Sequence, residues 1–175
     1  MKVRVLGAAA LLALLVASVP ASAPSPLQGG FVAIIVNPQN PIEEINLKDL
    51  RKYFMGERGE WPNMRSTPVI ACMLPPSSQG ERNVVLNSVY PGWGEGFYKK
   101  HFLQARFAAN EAPPQKPQEM RSASHMIYYV SRTPGALGYM RVEQGDCGVR
   151  SVEGLNVKVL RVNFRCPGQS GYPIR

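Results

Sequence analysis

The chain has 175 residues, a length that suits one domain with a short tail. Its 20 Lys and Arg outnumber 12 Asp and Glu, a formal net charge of +8. The basic residues are scattered and no helix-turn-helix, zinc-finger or RNA-binding pattern accompanies them, which argues against nucleic-acid binding. The three Cys and two His show no metal-ligand spacing, so no metal centre or cofactor is expected.

The N-terminus reads as a secretory signal. Lys2 and Arg4 form its positive end, Leu6 to Val16 its apolar stretch, and Ala21-Ser22-Ala23 its cleavage site. Residues 1–23 are therefore expected to be removed on export, which places the protein in the periplasm or outside the cell. No Cys stands at that site, so no lipid anchor is expected. Nothing later approaches the ~20 apolar residues of a membrane span, and a soluble mature chain is expected. The scattered cations that remain would still gather anionic solutes. Residues 24–30 read as a flexible lead-in, 31–165 as a single domain, and Cys166 to Arg175 as an irregular tail.

Phe31 to Val36 is an uncharged apolar run, the pattern of a strand buried on both faces. Asn37 to Pro41 breaks it. A helix is expected from Leu47, capped by Asn46 with Asp49 as a capping-box partner. Leu47, Leu50, Tyr53 and Phe54 would form its buried face, and Gly56 its left-handed stop. A loop bearing Trp61 follows, then a strand from Pro68 to Met73. The polar turn from Pro75 to Gly80 opens a helix from Glu81 to Tyr90, with Val84, Val85 and Leu86 inward. Gly94 to Leu103 is the next helix, with Phe97 and Phe102 in the core. Residues Ala108 to Lys116 should be irregular. Pro117 is placed to start a helix ending near Ser131, lined by Met120, Ala123, Ile127 and Val130. Strands are expected at Leu137 to Val142 and Asn156 to Val162, separated by a loop from Glu143 to Gly154. Strands alternating with helices indicate a small α/β domain, a sheet flanked by helices.

The turn after the second strand is the main candidate site. A strand passing through a small polar turn into a helix aims free N–H groups at the sheet edge, which favours anions. Ser77, Ser78, the N–H groups around Gly80, and the Arg82 guanidinium could together hold a tetrahedral oxyanion. The plainer alternative is an ordinary helix start, with Ser78 as N-cap and Arg82 in solvent. His101 and His125 have no evident carboxylate or nucleophile partner, and no nucleophile-elbow pattern exists, so no enzyme is expected. Cys147 and Cys166 flank a predicted strand, where a bridge would tie the tail to the preceding loop; three unpaired thiols are the alternative. Cys72 reads as a small buried residue. Gly135 and Gly138 read as close-packing positions beside a core Tyr139.

Leu50, Phe54, Gly56, Trp61 and the run Pro134-Gly135-Ala136-Leu137-Gly138-Tyr139 form an ordered set. In order and approximate spacing it resembles the phosphate-binding proteins of bacterial ABC uptake systems. More narrowly, about Val32 to Val162 resembles one lobe of their two-lobed, periplasmic-binding-protein-like (type II) fold. The resemblance implies a solute-binding-type protein whose ligand is phosphate or a similar oxyanion. Its ligand-binding residues would be Ser77, Ser78, Gly80 and Arg82. It also implies an ABC permease or another envelope protein as partner. The chain departs from the family at the anion turn. Pro75 and Pro76 stand near the place of a basic residue, Ser-Ser-Gln-Gly-Glu replaces Gly-Ser-Gly-Thr, and Glu81 sits where an anion would be expected. The second lobe has no counterpart, so a homodimer or partner chain would complete the site. The alternative function is a ligand-free interaction or sensory module of the cell envelope.

Overall fold

Val32 to Val36 are all buried, as an uncharged β-branched run dictates, and they place β1 (Phe31–Val36) inside a sheet. The computed structural model describes residues 30–174 except Arg65, Pro91, Trp93, residues 108–112 and Gln144. The expected signal peptide and almost all of the lead-in lie outside the described residues. After β1 come β2 (Glu44–Ile45), α1 (Leu47–Phe54), β3 (Ile70–Met73), α2 (Gln79–Val89) and α3 (Gly94–Ala105). The second half holds β4 (Gln118–Glu119), α4 (Ala123–Arg132), β5 (Ala136–Val142), β6 (Gly148–Val152), β7 (Leu155–Val159) and β8 (Arg161–Val162).

The main sheet has six strands in the order β4-β3-β5-β1-β7-β6. Strands β3, β4 and β5 run parallel, whereas β1 is antiparallel to both β5 and β7. A separate parallel pair joins β2 to β8. Helix α4 packs on β5 where Gly138 leaves room: a Cβ there would lie 3.0 Å from Met126 and Val130. The end of α4 is fixed by buried Asn37, whose amide donates to the carbonyls of Val130 and Ser131 at 3.0 and 2.9 Å. The architecture is mixed α/β, a central sheet flanked by helices. Among the described residues no helix is long and apolar enough to cross a membrane.

Local chemistry accounts for the first helix as expected. The Asn46 side chain accepts from the Asp49 N–H at 2.7 Å and donates to the Asp49 carboxylate at 2.7 Å. Leu50, Tyr53 and Phe54 are buried. Gly56 takes φ +70°, and a Cβ there would meet the Gln115 backbone at 2.4 Å.

Several expectations are corrected. Pro117 does not start a helix: Gln118 and Glu119 pair with Cys72 and Met73 at the sheet edge, and α4 begins later at a better cap, Ser122, which accepts from His125 N–H at 3.1 Å. Ala123 is consequently exposed, and Met126, Ile127 and Val130 form the buried stripe. In α3 the inward pair is Tyr98 and Phe102, one turn apart, and Phe97 is only half-buried. The loop from Glu143 contains a strand, β6, which pairs with β7 through Glu153 and Gly154 at φ +51° and +77°. Two left-handed residues in succession match the twist of a tight hairpin. The described residues of the tail form no helix or strand, yet they are anchored. Tyr172 and Ile174 are buried, the Tyr172 hydroxyl donates to the Val32 carbonyl at 3.0 Å, and Cys166 is bonded to Cys147. Cys72 is a buried free thiol.

Candidate functional site

The turn from Leu74 to Ser78 joins the C-terminal end of β3 to α2, and its base is held from two sides. The Leu74 N–H donates to the Tyr139 hydroxyl at 2.9 Å, while the Leu74 carbonyl accepts from Arg82 Nη1. Tyr139 is fully buried, and desolvation pushes its phenol well above the usual range, so it stays a neutral hydrogen-bonding group. Beyond Leu74 the chain tightens through Pro75, whose carbonyl accepts from the Ser78 N–H at 2.9 Å.

Ser77 is exposed, and Ser78 and Gly80 are half-buried. Helix α2 starts two residues earlier than expected, which puts Gly80 inside its first turn and Ser78 at its N-cap. Unlike Asn46 on α1 and Ser122 on α4, Ser78 makes no side-chain capping bond. The N-terminal N–H groups of α2 are therefore not closed off by their own cap residue. Glu81 lies in the same turn.

Arg82 is not in solvent. It is 2 % exposed, and its fork grips Glu95: Nε reaches Oε2 at 2.9 Å and Nη2 reaches Oε1 at 3.1 Å. Its guanidinium also lies over the Tyr98 ring, 5.1 Å from the centroid. Burial disfavours the Arg82 charge, but the hydrogen bond and charge of Glu95, together with Tyr98 and Tyr139, act the other way, and the pKa rises. Glu95 itself is 29 % exposed at its side chain and approaches Lys99 at 3.7 Å. Ser78, Gly80 and Arg82 thus share one turn of one helix, with Arg82 behind the turn and bound to an internal carboxylate. Sequence reasoning missed Glu95. It stands 13 residues beyond Arg82 in another helix, and no local spacing links the two.

The histidines are engaged structurally. His101 Nε2 lies 3.0 Å from the Met55 carbonyl, and His125 Nδ1 accepts from the Arg121 N–H at 3.3 Å. Among the described residues no group of three His, Cys, Asp or Glu is placed to hold a metal ion.

Of the residues that carried the family resemblance, Tyr139 reaches this turn, whereas Trp61 and Gly135 meet at the opposite end of β3, where β5 begins. Trp61 Nε1–H donates to the Gly135 carbonyl at 3.0 Å, and the Phe54 and Tyr139 rings lie 6.3 Å apart. Gly135 is required by contact, since a Cβ would come 2.1 Å from the Pro68 carbonyl oxygen.

No protein-family model matches the chain, and no curated protein does. Solved structures do match. One is a protein assigned as a phosphate ABC transporter substrate-binding protein, with bound phosphate, from Clostridium perfringens. The likeness has a TM-score of 0.56 at 15% identity over 78% of this chain and 46% of that one. PstS from Borrelia burgdorferi matches at 0.53 and 18% identity, over 83% of this chain and 54% of that one. A phosphate-binding protein from Stenotrophomonas maltophilia matches at 0.50 and 10% identity, over 79% and 40%. The chain spans about half the length of the solved structures it matches. Its fold is that of one lobe of a periplasmic-binding-protein-like phosphate-binding protein.

Proposed function

We propose that this chain is an exported solute-binding-type lobe that takes phosphate or a similar oxyanion at the turn between β3 and α2. Ser77 and Ser78 offer hydroxyls, Gly80 and its neighbours offer first-turn N–H groups, and Arg82 fixes the turn through the Leu74 carbonyl. The observation that carries this reading is the uncapped start of α2, set on a fold whose solved likenesses include a phosphate-bound protein. Helix N-termini attract anions through their unpaired N–H groups and partial positive charge. A half-site open to water binds weakly, so a second copy, an ABC permease or another envelope protein would complete it. The periplasm or the extracellular space is the expected location.

A second reading is favoured by one contact. Arg82 already spends its fork on Glu95, which suits a lobe that has given up its ligand and serves as an interaction or sensory module in the envelope. Calorimetric titration of the protein with phosphate separates the two. The first reading expects saturable binding, weakened roughly 5- to 10-fold by Ser78→Ala through the loss of one hydrogen bond, and weakened further by Arg82→Ala. Absence of any saturable binding would favour the second.

A further inference from the structure

Arg82 and Glu95 form a two-point ion pair beside the turn that follows β3, and its geometry is that of a receptor filled by its own chain. Two parallel N–H donors of a guanidinium meet two carboxylate oxygens at 2.9 and 3.1 Å, the pattern in which arginine also takes phosphate. The arginine is buried and the carboxylate is not: Arg82 is held by Leu74 and Tyr98, while the Glu95 side chain reaches solvent. Ser78, the N-cap of α2, and Arg82 are four residues apart in sequence. For an anion at the start of α2 to take the Arg82 fork, Glu95 must move aside.

We infer that Glu95 is an internal stand-in for the ligand, a residue that sets which anions the turn can take and how tightly. The inference rests on the oxyanion reading of the turn. A tethered carboxylate competes at an effective concentration on the order of millimolar. A singly charged anion that grips the fork no better than Glu95 must exceed that concentration to displace it, whereas a dianion with several oxygens can take the fork and the α2 N–H groups together. Lys99, one turn beyond Glu95 and already near its carboxylate, would receive the displaced side chain.

The test compares wild type with Glu95→Ala and Glu95→Gln, by thermal unfolding and by titration with inorganic phosphate, acetate and chloride at matched ionic strength. Glu95→Ala should unfold earlier than wild type and be restored selectively by phosphate. If the fork is open less than about a tenth of the time in wild type, vacating it lowers the apparent phosphate Kd by about tenfold or more. Glu95→Gln keeps the shape and one acceptor, and should show the same direction of change should the alanine variant fold poorly. Equal phosphate responses in wild type and both variants overturn the inference and leave the oxyanion reading standing. Responsive variants beside an unresponsive wild type uphold the inference and overturn the reading that the native chain binds the free anion. No response in any of the three overturns both.

Discussion

Trp61 donates its indole N–H to the carbonyl of Gly135, 74 residues further along the chain, at 3.0 Å. The same carbonyl accepts from the Ile70 N–H at 2.9 Å, so one oxygen links the Trp loop, β3 and the turn before β5. Trp61 is 2 % exposed, with its ring 5.0 Å from that of Tyr53. Trp61→Phe should cost about 1–3 kcal/mol, from one buried hydrogen bond and the lost ring volume. Urea unfolding measures it. An unchanged midpoint would mean that the link carries little.

Gly135 tolerates no side chain for a steric reason. Its Cβ would lie 2.1 Å from the Pro68 carbonyl oxygen, a backbone atom that cannot swing away. Gly135→Ala should therefore destabilise by about 1–3 kcal/mol, as overpacking does. Gly59 is the control: a methyl group there would meet nothing within 4 Å, and Gly59→Ala should leave the midpoint nearly unchanged.

The Cys147–Cys166 bond closes a separation of 19 residues and pins the tail whose Tyr172 and Ile174 are buried. Its removal should cost about 3 kcal/mol. Cys72 should behave differently, because burial pushes its thiol up to about 12. In the native, non-reduced protein a thiol reagent at mildly alkaline pH should find no reactive group, and one thiol should appear on unfolding. Rapid native labelling of Cys72 would contradict its placement.

Alkali should unfold the protein through its buried tyrosines. Burial pushes the Tyr98 phenol up to about 12, with Arg82 acting the other way, and burial also raises Tyr90, Tyr139 and Tyr172. Phenols in the unfolded chain ionise near pH ~10. Above that pH the unfolded state releases protons that the native state keeps, so stability is intact below pH ~10 and falls as pH rises through the folded values. The expected slope is about 1.4 kcal/mol per pH unit for each such tyrosine. Phenolate absorbance from these residues should rise together with loss of circular dichroism. Their ionisation with the helical signal intact would contradict the burial.

What the sequence revealed and what it hid divide along the range of the interactions. Asn46 caps Asp49 and the Gly56 N–H returns to the Tyr53 carbonyl, so both roles are readable from adjacent letters, whereas the close approach of Gly56 to Gln115 is not. The apolar run of β1 is equally plain, since burial on both faces leaves no polar position. Pro117 misled because its neighbours Gln118 and Glu119 gain ladder bonds from β3, a partner that spacing does not reveal. Strand β6 was hidden because half-burial leaves only a weak alternation and its turn, Glu153-Gly154, departs from the commoner Asn-Gly and Asp-Gly signals. At the site, the position of Ser78 as N-cap was legible, but the Arg82–Glu95 pair was not. It depends on how α2 and α3 meet, and a scattered Glu on a helix reads as solvated.

The most direct test of the central claim is thermal unfolding of the protein against phosphate, sulfate, arsenate and chloride at matched ionic strength. An anion at 100 times its dissociation constant stabilises by about 2.7 kcal/mol, which moves the midpoint by roughly 2 to 8 °C in a domain of this size. The expected result is a selective rise with an oxyanion and none with chloride. A flat response across the whole panel would contradict an oxyanion site in the native chain and direct attention to a protein partner instead.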